Sequence, residues 1–300
     1  MPPTLRVLLA GALFASGGAL LKSCDFPSLQ RAGLRAGIAA LALFVLLPRA
    51  RRWPNARILL LSLPYFGATG LFVIANTLTT SANAIFLQST APMWVLLFAP
   101  WLLGERASRR DLLMFACVAA GLSLCFAAPA VVQRTAPDPR TGDLFGIASG
   151  VAFALLLIGM RWLAASGRDE TAAALAWGNT CAMPLAFLLM PLVGQTPTAG
   201  TAPDWIVITV LGVVQVGLAY AVLARAIEQV PAARAALLLM IEPALNPAIT
   251  FLVHGETPHP LALAGGAMIV GGVALGSVLG RRRTTAPPVT AADAAPRARP

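Results

Sequence analysis

The chain has 300 residues, 58% of them hydrophobic and only 11% charged, with a net charge of +10 and a mean hydropathy of +0.77. A soluble domain keeps its surface wet with roughly a quarter charged residues, so lipid must be the solvent for most of this chain's outside. The basic excess does not point to nucleic acid, because the arginines sit in short clusters between apolar runs rather than along one face.

A helix that crosses a bilayer needs about 20 largely apolar residues. By that measure the sequence predicts an all-α membrane protein with ten spans, at about 6–22, 31–48, 58–76, 82–102, 111–130, 142–162, 171–193, 205–224, 235–253 and 261–280. The first, Arg6 followed by VLLAGALFASGGALL, has the look of a signal peptide, but the internal repeat described below needs it as a retained span. Pro48, Arg49, Arg51, Arg52, Trp53 and Pro54 close the second. Ser108 and Asp111 are spaced as an N-cap pair opening the fifth. The loop PAVVQRTAPDPRT, 129–141, divides the chain near its middle, and Thr257 before Pro258 is expected to open the tenth span. Residues 281–300 are Pro/Ala-rich and polar, the composition of a disordered tail.

Short connections make consecutive spans antiparallel neighbours. With ten spans both termini share one side, and all but five of the 22 basic residues fall there. The exceptions are Lys22, Arg31, Arg35, Arg134 and Arg140. This bias predicts cytoplasmic termini. Cys24, Cys117, Cys125 and Cys181 lack CxxC spacing, and His254 and His259 have no cysteine at ligand spacing, so no metal or cofactor is expected.

Sliding the chain against itself by 151 residues aligns its second half with its first without a gap around the fourth and fifth spans. Ala82 falls on Ala233, Leu87 on Leu238, Pro92 on Pro243, Gly104–Glu105 on Gly255–Glu256, and Gly121 on Gly272. Each half, 6–130 and 142–280, then holds five spans. Because five is odd, the halves are inverted in the membrane, a recurring transporter plan with substrate bound near the midplane.

The segment SANAIFLQSTAPMWVLLFAPWLLGERASRRDLLMFACVAAGLSL and its partner VPAARAALLLMIEPALNPAITFLVHGETPHPLALAGGAMIVGGVAL resemble the two EamA domains of the drug/metabolite transporter superfamily. The shared features are an alanine-rich helix, a mid-helix proline, a terminal Gly-Glu and a glycine-marked helix after it. The resemblance implies a ten-helix carrier of the inner membrane, often an exporter of amino acids or other metabolites. Asn83 and Gln88 stand where the second copy has Arg234 and Leu239, and the tenth helix is preceded by an unusual HGETPHP.

An ionisable group within a span costs about 2.5–3.5 kcal/mol on insertion scales and therefore faces protein or water. Glu242 is the clearest case. It precedes Pro243, which leaves the Leu239 carbonyl without its helical donor and permits a kink. Asn246 and Thr250 follow on the same face. Glu242 either binds a cationic substrate group or exchanges a proton, the candidate coupling ion; its structural alternative is a hydrogen bond that holds the bundle together. Pro92 and Pro243 are candidate hinges. Tyr65, Thr69 and Asn76 share a face of the third span. Gln215 and Tyr220, five residues apart, fall about 140° apart on an α-helix, so at most one is expected to point squarely at a cavity. Trp177 and Trp94 lie within spans, as does Gln88, and each either walls a cavity or packs.

Glu105 and Glu256 sit at span ends, where a carboxylate can stay hydrated. Lys22 and Arg161 end the first and sixth spans, where long basic side chains reach the interface. The glycine run of the tenth span is expected to pack closely against another helix. No GxxxxGK[ST] loop or HExxH occurs. The leading expectation is a secondary carrier of small molecules in the lipid bilayer, with oligomeric state undetermined. The rivals are a membrane enzyme acting on lipid-linked substrates and a passive channel.

Overall fold

A computed structural model of the chain describes residues 1–102, 109–130, 132–164, 170–227, 229, 238–239 and 241–280. Glu105, Ser108 and the 281–300 tail lie outside the described residues. Among those described, all the regular elements are helical, and the β content is one isolated bridge between Gln133 and Ala136.

The first apolar rod is broken at Ser16 into α1 (Pro3–Ala15) and α2 (Gly17–Lys22). The Ser16 hydroxyl donates to the Leu13 carbonyl at 2.7 Å. Next comes α3 (Ser28–Leu46), closed by a 3₁₀ turn at Pro48–Arg51 within the predicted Pro/Arg boundary. Asn55 caps α4 (Ala56–Leu78), accepting from the Ile58 N–H at 3.0 Å. Then follow α5 (Ser81–Gln88), α6 (Ala91–Leu102), α7 (Arg109–Ala127), α8 (Pro139–Ala164) and α9 (Thr171–Leu189). The next helix, α10 (Ala202–Val210), opens with a capping box between Thr201 and Asp204. It runs through a π-helical stretch, Leu211–Leu218, into α11 (Ala219–Ile227). The last two helices are α12 (Ile241–His254) and α13 (Pro260–Gly280).

Among the described residues, six stretches are long and apolar enough to cross a membrane: Pro3–Lys22, Ser28–Leu46, Ala56–Leu78, Pro139–Leu163, Thr171–Leu189 and Ala202–Ala226. Shorter apolar helices cover Leu112–Ala127 and Pro260–Leu275. The chain is thus a multi-pass helical membrane protein, and its surface agrees. Leu41, Val45, Leu63, Leu188 and Leu252 project outward, while Asn76, Ser81, Thr90, Ser149, Asn179, Asn246 and Thr250 are buried. Polar groups turn inward because lipid offers them no partner.

Two sequence boundaries change. The stretch expected as one span at 82–102 is two helices, with Pro92 in the first turn of α6. Proline has no N–H to give the Gln88 carbonyl, and a first turn tolerates that loss. Side chains brace the break: the Thr90 hydroxyl donates to the Leu87 carbonyl at 2.6 Å, and Trp94 Nε1 donates to Thr90 Oγ1 at 3.1 Å. The last helix opens at Pro260 rather than at Thr257–Pro258. The His259 ring does the capping, with Nδ1 accepting from the Leu261 N–H at 3.2 Å.

The α1–α2 rod packs into the bundle against α11 and α12, as a retained span requires. The glycine-rich α13 lies along α7. A Cβ on Gly121 would come 2.5 Å from the Gly265 carbonyl, and a Cβ on Gly265 would come 2.5 Å from the Gly121 carbonyl. At this crossing the two backbones touch, which only paired glycines allow.

Candidate functional site

Two polar layers occupy the interior. The first lies at the end of the bundle marked by Lys22. That side chain is 3% exposed and that of Glu256 is 1% exposed; they pair at 3.0 Å. Lys22 also donates to the Thr79 carbonyl at 2.9 Å and the Thr135 carbonyl at 2.5 Å. Glu256 accepts from the Ser81 N–H at 2.5 Å. From Ser81 the bonds continue inward. Its hydroxyl accepts from Asn76 Nδ2 at 2.9 Å and donates to Asn246 Oδ1 at 2.7 Å, while Asn246 Nδ2 reaches the Ala15 carbonyl at 3.2 Å. Asp143 accepts from Thr79 Oγ1 at 2.7 Å and Asn83 Nδ2 at 3.1 Å, beside a small cleft that His259 also lines.

These bonds change two readings. Glu256 is buried and ion-paired rather than hydrated, and Lys22 turns inward instead of reaching the interface. Their partnership spans the length of the sequence, so neither local pattern could show it. The α2 backbone comes close enough here that a Cβ on Gly18 would clash with Ser81 Oγ and lie 2.6 Å from Asn246 Nδ2.

The second layer is deeper and mixes aromatic with ionic groups. Tyr65, 2% exposed, accepts a 2.5 Å hydrogen bond from Asn179 Nδ2. Thr69 Oγ1 returns to the Tyr65 carbonyl at 2.9 Å. Gln215 Nε2 donates to the Phe14 carbonyl at 3.3 Å, just before the Ser16 break, and its Oε1 is buried without a partner among the described residues. The Tyr220 ring meets the Phe14 ring edge-on at 5.0 Å. Gln215 and Tyr220 therefore both face α1, contrary to the α-helical spacing argument. The π-helical stretch is the reason: its wider turn brings residues five apart toward one face.

Glu242 sits in the first turn of α12, half-buried, with Pro243 and Asn246 buried beside it. Among the described residues its carboxylate makes no hydrogen bond or ion pair, and its charge acts on Tyr220. The structural alternative, a bond to a neighbouring helix, finds no partner there. Arg35, which the sequence places near the opposite membrane face, lies two turns inside α3 at 7% exposure. It donates to the Thr69 carbonyl at 3.3 Å and acts electrostatically on Tyr65 and Tyr220. In this layer, Arg35 and Asn179 are the groups that sequence reasoning passed over. The signal for Arg35 was the one used for Glu242, a charge more than one turn inside an apolar run.

The remaining candidates lie elsewhere. Gln88 Nε2 is committed to the Ala68 carbonyl at 2.9 Å and Ser149 Oγ at 2.7 Å, tying α5 to α4 and α8. Trp177 is at the far end of the bundle, where Nε1 donates to the Arg52 carbonyl at 2.8 Å and the ring stacks on Trp53 at 6.1 Å. Among the described residues no three His, Cys, Asp or Glu side chains gather as metal ligands.

A polar interior inside an apolar shell, holding uncommitted charges, is the arrangement of a solute pathway. The model of the EamA-like transporter family matches this chain over residues 2–127 and 140–278. The chain belongs to the EamA-like transporter family. It is therefore a membrane transporter rather than an enzyme. It is 26% identical over 273 residues to an "Uncharacterized transporter" of Archaeoglobus fulgidus, covering 89% of this chain and 93% of that one. It is also 26% identical over 298 residues to a "Probable terminal-alkyne amino-acid exporter" of Streptantibioticus cattleyicolor, covering 95% of this chain and 92% of the relative. A solved crystal structure superposes with a TM-score of 0.63 at 20% identity, over 93% of this chain and 98% of that one. That likeness speaks for the fold alone.

Proposed function

We propose that this EamA-family protein is a secondary carrier that exports small amino acids or related metabolites across the inner membrane by alternating access. In this reading two inverted five-helix halves rock around the Tyr65–Tyr220–Glu242 layer, with both termini in the cytoplasm. The arginine bias then puts the Lys22 end outside, and the Lys22–Glu256 pair keeps that side shut in the conformation described. The observation that carries the reading is the Glu242 carboxylate, half-buried in the first turn of α12 beside buried Asn246 and with no partner among the described residues. A charge left unpaired within the membrane is costly, and a cationic substrate group or a proton relieves the cost. The name of the Streptantibioticus cattleyicolor relative supports amino-acid-like cargo.

Proteoliposomes test the proposal. Preloaded unlabelled amino acids should drive counterflow of a labelled amino-acid mixture, which a passive channel does not sustain. Glu242→Gln should lower the rate by about tenfold or more, matching the loss of one charge-assisted hydrogen bond of about 1.5–3 kcal/mol, and should flatten the pH dependence. Unchanged rate and unchanged pH profile would remove Glu242 from the mechanism.

A further inference from the structure

Two buried arginines stand one helical turn apart on α3 and differ in one respect. Arg31 is fully engaged by backbone: Nε and Nη2 donate to the Phe26 carbonyl at 3.1 and 2.8 Å, and Nη1 donates to the Leu21 carbonyl. Arg35 is equally buried, yet its hydrogen bonding amounts to the single 3.3 Å contact with the Thr69 carbonyl. The rest of its N–H fork has no protein acceptor among the described residues. No carboxylate among them pairs with it. A guanidinium buried to this degree with most of its donors unused is poorly compensated on its own, and a planar, two-oxygen anion is the ligand its geometry fits best.

The surroundings narrow that anion to one end of a zwitterion. Tyr220 packs in one cluster with Phe14, Leu238 and Leu239 just ahead of α12, and also against the cluster of Leu43 of α3, the helix that carries Arg35; the charges of Arg35 and Glu242 both reach it. Arg35 and Glu242 form no ion pair with each other among the described residues, which leaves opposite charges spare near one tyrosine. Phe14, packed on Tyr220, adds apolar surface there.

We infer that Arg35 is the carboxylate-binding residue of the substrate site, holding the α-carboxylate of an amino acid whose ammonium group faces Glu242. The inference rests on the carrier reading above and adds a demand that reading does not make: a free carboxylate is required for recognition.

The test uses purified full-length protein in proteoliposomes, with a ¹⁴C-labelled mixture of the standard L-amino acids as probe. Unlabelled amino acids should compete for counterflow, while their methyl esters and decarboxylated amines should compete roughly tenfold or more weakly. Arg35→Gln should raise the half-saturating amino-acid concentration by at least about the same factor and abolish the preference over the esters. Arg35→Lys, which keeps the charge but not the fork, should fall between. Phenylglyoxal labelling of Arg35 in the wild-type protein, read by mass spectrometry, gives a measure that does not depend on a variant folding. Amino acids should protect Arg35, and the amines should not.

If the wild type counterflows none of the mixture, the amino-acid carrier reading falls and this inference with it. If wild-type counterflow is intact but esters compete as well as amino acids, the inference is overturned alone. Failure of amino acids to protect Arg35 overturns it too, whatever the variants do.

Discussion

At the Lys22 end, the bundle is joined by a buried ion pair whose every partner comes from a different element: the end of α2, the α4–α5 junction, the loop at Thr135 and the α12–α13 junction. At the Trp53 end, the described contacts are stacked rings, a cation over a ring and single hydrogen bonds. Trp177 lies between Trp53 and Phe44, Arg57 sits 5.0 Å over the Trp162 ring, and Asn55 donates to Glu170 at 2.8 Å. The difference is one of reversibility. A buried ion pair is strongly unfavourable to half-break, so it favours two discrete states, joined or fully hydrated. Stacked rings and single hydrogen bonds at a half-exposed end slide and re-form in small steps.

The largest expected effect comes from breaking the first kind of contact on one side only. Lys22→Met leaves Glu256 buried without its cation and should cost about 3–5 kcal/mol, read as a lower melting temperature in detergent. The paired change Lys22→Met with Glu256→Leu should recover most of that loss, because both charges leave together. A single variant as stable as wild type would mean the pair bears no strain. Gly18→Ala tests the same end by volume. Its new methyl would meet Ser81 and Asn246, at a cost of about 1–3 kcal/mol, and a cysteine at position 81 should become more reactive toward a water-soluble maleimide. At the other end, Trp177→Phe keeps the stack but drops the bond to the Arg52 carbonyl, for about 1 kcal/mol or less. A melting shift as large as that of Lys22→Met would erase the distinction between the ends.

Much of this architecture could be read before any coordinates. Hydrophobic run lengths put helices in their places, and the charge at Glu242 and the face shared with Asn246 and Thr250 required only helical periodicity. The paired glycines of α7 and α13 were likewise visible as a small-residue run. Three features were not. The Lys22–Glu256 pair joins residues far apart in sequence, and each alone looks like an ordinary span end. Arg35 sits close enough to its helix start to pass for an interface anchor, and only its idle donors distinguish it from Arg31. The common face of Gln215 and Tyr220 exists because the helix widens there, whereas periodicity arguments assume uniform pitch.

The widened stretch at Leu211–Leu218 has a consequence for the length of the chain itself. A π turn accommodates an extra residue at nearly the same helix height. Removing one residue between Leu211 and Leu218 would let the rod relax to regular α geometry while still bridging its two ends. With the deletion placed after Gln215, Tyr220 would stand four residues on, about 40° round a regular α-helix, so both would stay on the α1 face. A chain one residue shorter would retain its shape in the membrane and its contact between Tyr220 and Phe14, whereas straightening the full-length stretch to α geometry would lose that contact. Here the widened turn, more than the identity of any side chain, absorbs a residue of excess length and keeps Gln215 and Tyr220 aligned.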